Sequence, residues 1–190
     1  VVGHSNVSFK DIATANWAVN SIEALAARGA IEGMDAEHFN PSGNVTRAEF
    51  IKILMNAFDL LDETAVSTFT DVKDGAWYAS PIASAQKLGI VKGKADDNFG
   101  ASEEITRQEM AVMIYRLAQT INIPLTAGTK ASGEAFSDVN QLSADAAKAV
   151  EAMRISGIIN GMTSNQFGPN GKATRAQAAT VIFRLFEQLQ

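Results

Sequence analysis

TRAE at Thr46–Glu49, TRQE at Thr106–Glu109 and TRAQ at Thr174–Gln177 are three copies of one short string. The copies begin at positions 46, 106 and 174, so the period is 60 residues and then 68. Self-similarity at a period of this length indicates a repeat architecture, in which each repeat is one small supersecondary unit. The chain is therefore predicted to contain three structural repeats.

Positions upstream of the strings recur in step with them. Each copy carries an F-x-D triplet, then two glycines four residues apart, then a phenylalanine seven residues before the threonine. The matched residues are Phe9, Asp11, Gly29, Gly33 and Phe39; Phe69, Asp71, Gly89, Gly93 and Phe99; and Phe136, Asp138, Gly157, Gly161 and Phe167. The first two copies have a tryptophan, Trp17 and Trp77, and its counterpart in the third copy is Asp145. The third copy also has one extra residue between its triplet and its first glycine.

Each repeat is predicted to fold as helix, loop, helix. After each string the apolar residues recur at i, i+3 and i+4, which is typical of an amphipathic helix with one buried stripe. In the first copy these residues are Phe50, Ile53, Leu54, Ala57, Phe58 and Leu61. An earlier helix around Trp17–Arg28 is predicted to end at Gly29, a typical C-cap residue. Because one such helix pair is marginal alone, the repeats 1–62, 63–122 and 123–190 are expected to share a core in an all-α, pseudo-threefold bundle.

The repeated string combines a helix cap with an arginine that the cap does not need. Thr46 followed three residues later by Glu49 is a capping box, and Gln177 can replace the glutamate in that role. The arginines that follow each threonine are Arg47, Arg107 and Arg175. A cation is disfavoured at the first helical position by the helix dipole, whereas a guanidinium beside free helix N–H groups would suit a carboxylate or phosphate. The alternative is a salt bridge to a neighbouring repeat, for example to Asp11 or Asp71.

The other recurring residues admit both structural and ligand-binding roles. The phenylalanines are predicted to be core residues, and the glycines to end helices or to allow close backbone approach. A tryptophan just after a loop is either a core residue or a platform for a sugar ring. The aspartates are expected in loops or at N-caps, with a direct ligand role as the alternative. The candidate ligand-binding residues are Arg47, Arg107, Arg175, Trp17, Trp77, Asp11, Asp71, Gly33 and Gly93.

Composition narrows the classes of function. The chain has no cysteine, which excludes disulfides, zinc–thiolate sites and a thiol nucleophile, and no cofactor or metal is predicted. The net charge of −5 argues against bulk attraction to nucleic acid or to an anionic membrane. The sequence also lacks the apolar run of about 18 residues that a membrane-spanning helix needs. An anion would have to be bound by a few placed groups.

Together these residues resemble the S-layer homology domain, which normally occurs as three tandem copies. The matching signature runs from F-x-D through tryptophan, G-x-[IV]-x-G and phenylalanine to TRAE, and it covers nearly the whole chain. The resemblance implies a three-pronged pseudotrimeric helical fold in a secreted protein of a bacterial cell wall or S-layer. It implies non-covalent attachment to an anionic secondary cell-wall polysaccharide of Gram-positive bacteria, often through pyruvylated N-acetylmannosamine. In the family the ligand lies in grooves between repeats with the TRAE arginine as its key contact, and other S-layer subunits are partners of the parent protein.

The departures of the third copy, namely the missing tryptophan, the insertion and Gln177, predict two competent grooves rather than three. An enzyme is not expected, because the sequence holds only His4 and His38, no cysteine and no recognisable nucleophile or metal motif. The run Asp71–Gly75 lacks the ligand pattern of a calcium loop. The alternative function is a helical-repeat module that binds another protein.

Overall fold

The computed structural model describes residues 8–125, 134–163 and 165–189, and within these ranges the protein is all-α. The predicted fold class is confirmed. The helices are α1 (Val19–Ala27), α2 (Arg47–Ala57), α3 (Ala79–Lys87), α4 (Arg107–Thr120), α5 (Ala144–Ser156) and α6 (Arg175–Glu187), with 3-10 helices at Ile12–Ala18 and Ala95–Asp97. Of the loop predicted at about 122–135, residues 126–133 lie outside the described residues. No described helix has the length and apolar character needed to cross a membrane.

Helices pair between repeats rather than within them. α2 packs on α3, α4 packs on α5, and α6 returns to pack on α1. Each helix pair therefore joins the second helix of one repeat to the first helix of the next, and the last pair closes the ring. The helix–loop–helix unit read from the sequence is the unit of repetition, but it is not the unit of packing.

A ring of three backbone hydrogen bonds joins the repeats just before the second helices. The N–H of Val45 donates to the carbonyl of Ala173 (3.1 Å), Ala173 donates to Ile105 (3.1 Å), and Ile105 donates to Val45 (3.0 Å). Each of these residues immediately precedes the threonine of its string, so equivalent positions of the three repeats meet. The cyclic order gives the bundle its pseudo-threefold arrangement.

The phenylalanine predictions are confirmed. In each repeat the F-x-D phenylalanine packs on the phenylalanine that precedes the string, with ring centroids 5.4–5.5 Å apart. All six rings are buried. The second glycine of each pair is required by this contact, because a Cβ added at Gly33, Gly93 or Gly161 would lie only 2.4, 2.8 or 2.5 Å from the ring of the F-x-D phenylalanine.

The second helices are more deeply buried than one stripe requires. In α2 the predicted Phe50 and Leu54 are fully buried, but so are Ile51 and Met55 on another face. The prediction of a single buried stripe was therefore wrong for α2, because this helix contacts both its partner α3 and α6. The predicted Leu61 instead lies beyond the end of α2 and is exposed.

The first helix of the third repeat begins earlier than its counterparts but ends at the same glycine position. Gly29, Gly89 and Gly157 follow the first helices with φ of +71°, +76° and +72°, as predicted for C-caps. α5 has 13 residues, whereas α1 and α3 have nine. Its extra turn begins at Ser143, whose hydroxyl accepts from the N–H of Ala146, and Asp145 lies in that first turn. A capped extra turn with an acidic residue thus stands where the other repeats have tryptophan.

Candidate ligand-binding grooves

The capping role of the string is confirmed. The hydroxyls of Thr46, Thr106 and Thr174 each accept from the backbone N–H three residues on. In the second and third copies the Glu109 and Gln177 side chains also accept from the N–H of the threonine, which completes the capping box. Glutamine and glutamate are therefore interchangeable for this purpose.

The helix N-termini are not free to receive an anion. The N–H groups of Arg47, Arg107 and Arg175 donate to carbonyls of the next repeat, those of Glu103, Gly171 and Gly43, all at 2.8 Å. The N–H of the following residue is also taken by the next repeat in each copy. The expectation of a helix N-terminus with unpaired N–H groups was wrong, because the neighbouring loop supplies the acceptors.

The three arginines hold the next repeat by its backbone. Their Nε atoms donate to the carbonyls of Phe99, Phe167 and Phe39 at 3.0, 2.9 and 2.9 Å, and the guanidinium planes lie over the same phenylalanine rings at 4.6–5.0 Å. The Nη2 atoms of Arg107 and Arg175 also donate to the carbonyls of Asn160 and Glu32. The exposed fractions of Arg47, Arg107 and Arg175 are 4%, 5% and 8%. A structural role for these residues is therefore visible, although one edge of each still lines a groove.

The salt-bridge partner of Arg47 and Arg175 is the glutamate of the next string. Burial lowers the pKa of both arginines, and the negative charges of Asp71 and Asp11, respectively, act to raise it. Arg47 Nη1 pairs with Glu109, and Arg175 Nη1 lies 3.6 Å from Glu49 Oε2. Arg107 has no such partner among the described residues, because Gln177 occupies the equivalent position. Burial lowers the pKa of the Arg107 guanidinium, whereas the negative charge of Asp138 acts to raise it.

The F-x-D aspartates fasten the loop that precedes the second helix of their own repeat. The Asp11 carboxylate accepts from the N–H groups of Phe39 and Asn40, both at 2.8 Å. Asp71 accepts from three consecutive N–H groups, those of residues 99–101, at 2.8–2.9 Å. Asp138 does the same for two N–H groups in the third repeat. None of these carboxylates lines the grooves that contain the arginines, so the predicted ligand role of Asp11 and Asp71 has no geometric support here and stays a prediction.

The Asp71 contacts predict a pH-dependent contribution to stability. Burial raises the pKa of Asp71, but the N–H groups of Ala101, Phe99 and Gly100 lower it by more, so it lies below its ordinary value. A depressed pKa stabilises the fold above the unfolded-state value of about 3.9, and this contribution is lost as pH falls through the folded-state pKa. We expect Asp71→Asn to lower the free energy of unfolding at pH 7 by about 1–3 kcal/mol, because an amide cannot accept all three N–H groups.

Urea denaturation at pH 7 and at pH 3 measures this contribution. The difference between wild type and Asp71→Asn should shrink at the lower pH, where the wild-type carboxyl begins to lose its charge. Asp74→Asn removes an exposed aspartate of the same loop and serves as the matched control. Equal effects of the two substitutions, or an Asp71 effect that is independent of pH, would contradict the assignment.

Three open grooves lie at the junctions between repeats, one beside each arginine. Each is lined by the glycine loop of one repeat, the second helix of that repeat, the arginine of the preceding repeat and the first-helix region of the following repeat. Their volumes are about 220, 260 and 240 Å³, as expected of pseudo-equivalent sites. Gly33 and Gly93, predicted as site residues, line two of them.

The folded ring decides which arginine shares a groove with which tryptophan. Arg175 and Trp77 line one groove, named the Trp77 groove. Arg107 and Trp17 line the second, named the Trp17 groove. The third, named the Arg47 groove, has Ser143 and Ala146 in the corresponding region. Both tryptophan side chains are exposed, 59% for Trp17 and 55% for Trp77, so neither is a core residue.

The departures of the third repeat fall in two different grooves. The missing tryptophan and the extended helix α5 affect the Arg47 groove, whereas Gln177 lines the Trp17 groove. The expectation that they weaken the same groove was therefore wrong, because every groove draws on all three repeats. The sequence prediction also missed the groove residues of the second helices at Lys52 and at Arg116 and Arg184. Comparison of positions nine residues after each arginine, which are Asn56, Arg116 and Arg184, would have singled out the last two.

Three helical repeats closed into a ring, with a groove at each junction, define a repeat-built binding module. Among the described residues, no group of three or more histidine, aspartate or glutamate side chains could hold a metal ion. The profile of the S-layer homology domain matches residues 8–51, 68–111 and 135–179, and the chain belongs to this family. S-layer homology domains are non-catalytic modules that anchor proteins to the cell wall, which places the chain at the cell surface.

Similar proteins include both enzymes and S-layer proteins. An amylopullulanase of Thermoanaerobacterium thermosulfurigenes is 38% identical over 95% of this chain and 10% of that protein. Exoglucanase XynX of Acetivibrio thermocellus is 38% identical over 96% of the chain and 16% of that protein. An S-layer protein of Bacillus thuringiensis subsp. finitimus is 31% identical over 98% of the chain and 22% of that protein. The chain thus spans about a tenth to a fifth of the length of these relatives.

Proposed function

We propose that this module holds its parent protein on the wall by binding an anionic, pyruvylated cell-wall polysaccharide in the two grooves that contain tryptophan. The observation that carries the proposal is the Trp17 groove, which brings together an exposed aromatic face and the buried Arg107 guanidinium, for which the described residues provide no salt-bridge partner. The proposed sugar is pyruvylated N-acetylmannosamine, whose ketal carries one carboxylate. The other S-layer subunits would meet the rest of the parent protein rather than these grooves.

The charge of the Trp17 groove favours an anionic ligand. Arg107 and Arg184 both line it, and Gln177 replaces the glutamate found in the other two grooves. Both arginines have their pKa lowered by burial, so each bears a desolvation cost that a ligand carboxylate would offset. Charge-assisted hydrogen bonds of this kind contribute roughly 1.5–3 kcal/mol each.

The exposed tryptophan supplies the second part of the site. Trp17 and Met162 line the same groove as the two arginines, so the groove combines apolar and cationic side chains. A pyranose has an apolar C–H face that packs on an aromatic ring, while a ketal carboxylate projects from its edge. The two kinds of surface in the groove match the two parts of this ligand.

The Trp77 groove also contains a tryptophan and an arginine, but each of these side chains already has a charged neighbour. Lys52 Nζ lies over the Trp77 ring at 5.4 Å from its centroid, so a sugar must displace this lysine to stack there. Arg175 Nη1 also lies 3.6 Å from Glu49 Oε2, and this carboxylate partly compensates the charge of the arginine. We therefore expect weaker sugar binding in this groove than in the Trp17 groove.

Titration of the protein with soluble pyruvylated N-acetylmannosamine should give two sites per chain, the tighter one in the Trp17 groove. Trp17→Ala should remove the tighter site and Trp77→Ala the weaker one, because each substitution removes the aromatic face on which the pyranose packs. Isothermal titration calorimetry measures the number of sites and the affinity of each site. Two linked sites on one polymer would raise avidity without any new contact.

The same sugar without its pyruvyl group is the ligand control, and it should bind neither site measurably. Val66→Ala is the protein control, because Val66 is an exposed apolar residue that lines none of the grooves. Unchanged binding after removal of the pyruvyl group, from the sugar or from purified wall polymer, would refute the proposed ligand. Three equal sites would refute the requirement for tryptophan.

A further inference from the structure

The Arg47 groove differs from the other two grooves in a coordinated way. Where the Trp17 groove has Met162, and where the first repeat has Met34, the second repeat has Lys94. Where the other repeats have Glu32 and Asn160, it has Lys92. The tryptophan position is Asp145. A methionine position and a polar position have thus both become lysine at the same junction that lost its tryptophan.

The positive charge of this groove is only partly compensated. Arg47, Lys92, Lys94 and Arg116 line it together with one carboxylate, that of Glu109. Glu109 is paired with Arg47, and Lys94 is paired with Glu103 at the rim. Lys92 and Arg116 have no carboxylate partner within the described part of the chain. Arg116 is half-buried and its Nη1 makes only a long contact, 3.5 Å, to the carbonyl of Ile90.

A second cavity continues this groove between α4 and α5. It shares Lys92, Val112 and Arg116 with the Arg47 groove, and it adds Lys148 on α5. Asp145 is the only carboxylate among the described residues that line it. The two cavities have volumes of about 280 and 260 Å³. Together they form a track with cationic side chains along its length.

We propose that this track, defined by Lys94, Lys92, Arg116 and Lys148, binds a phosphodiester-linked polymer segment rather than the sugar of the tryptophan grooves. Lysines act as point charges toward phosphate and arginine adds a planar fork, whereas no tryptophan is present to stack on a pyranose. Several cations in a row fit a chain of single negative charges better than one isolated anion. The module would then read two chemical classes of wall polymer at separate junctions.

Calorimetric titration with a synthetic six-unit glycerol phosphate oligomer tests the proposal. One oligomer should bind per chain, and its affinity should fall as salt is raised, because the contacts are between exposed charges. Lys92→Gln should weaken this binding about tenfold, since Lys92 borders both cavities. Its side chain is exposed, so the variant should fold.

Lys73→Gln removes the same charge from an exposed lysine that lines neither cavity, and it should leave oligomer binding within about twofold. Binding of pyruvylated N-acetylmannosamine should be the same in Lys92→Gln as in wild type. Failure of the oligomer to bind can therefore be distinguished from a failure of the proposed sugar binding. Equal losses in the two lysine variants would mean bulk charge attraction and overturn the site. If inorganic phosphate binds as tightly as the oligomer, the proposal of a polymer-binding track is wrong. If Lys92→Gln loses a sugar site, the Arg47 groove is a third sugar groove and the proposal is also wrong.

Discussion

Deletion of residues 172–190 is expected to abolish the cooperative fold of the whole module rather than of the third repeat alone. The deletion removes α6, which is the packing partner of α1 at the other end of the chain. It also opens the backbone ring at Ala173, so that the N–H of Val45 and the carbonyl of Ile105 lose their partners. Ile22 and Leu25, both fully buried on α1, would become exposed.

Urea denaturation followed by circular dichroism measures this effect. The intact chain should show one cooperative transition and the truncated chain none at 25 °C, because small helical repeats depend on their neighbours for a core. Deletion of only Leu189 and Gln190 is the control and should leave the transition in place, since Leu189 is exposed beyond the end of α6. A truncated chain that still unfolds cooperatively would show that two repeats form an independent core.

Arg175→Lys is expected to cost about 2–4 kcal/mol of unfolding free energy, although it keeps the charge. Arg175 donates from Nε to the carbonyl of Phe39 and from Nη2 to that of Glu32, and its guanidinium lies over the Phe39 ring. A lysine has one nitrogen and no planar fork, so it cannot satisfy both carbonyls while it stacks. The contact closes the ring between the third repeat and the first, so its loss destabilises the whole module.

Chemical denaturation of Arg175→Lys and Arg28→Lys compares a buried and an exposed stacked arginine. Arg28 lies over the Phe186 ring at 4.2 Å but is exposed, so its substitution should cost less than about 1 kcal/mol. Equal costs would contradict the structural role of the buried fork. Unchanged stability of Arg175→Lys together with lost sugar binding would make Arg175 a ligand contact alone.

The features of the fold that depend on residues close together in the chain could be predicted from the sequence. The threonine caps span three residues, the C-cap glycines require only their own positive φ, and the phenylalanine pair lies within one repeat. The burial of α2 could not be predicted in full: Ile51 and Met55 are fully buried in addition to the predicted stripe, and α2 contacts helices of two other repeats. An apolar period reports which face of a helix is hydrophobic, but it does not report how many partners surround the helix.

The types of residue in the site could be predicted from the sequence, but the contacts between those residues could not. Arg107 and Trp17 stood out as residue types suited to a carboxylate and to a sugar face. The sequence does not indicate that the N–H groups at the helix N-termini donate to carbonyls of the next repeat. It also does not indicate that Arg175 pairs with Glu49 or that Arg47 pairs with Glu109. Those contacts depend on how the loop of one repeat lies against the string of another.

The sequence by itself determined the number of repeats, the threonine and glycine helix caps and the family, because each depends on residues a few positions apart or on a repeated pattern. Only the tertiary structure decided which helices pair and which arginine faces which tryptophan. The Nε contacts of Arg47, Arg107 and Arg175 reach carbonyls 52, 60 and 136 residues away in the chain. The last distance spans the ring closure, where α6 returns to α1. Because the same motif recurs in every repeat, it does not indicate which repeat supplies the neighbouring carbonyl. That choice depends on packing and backbone hydrogen bonds between repeats.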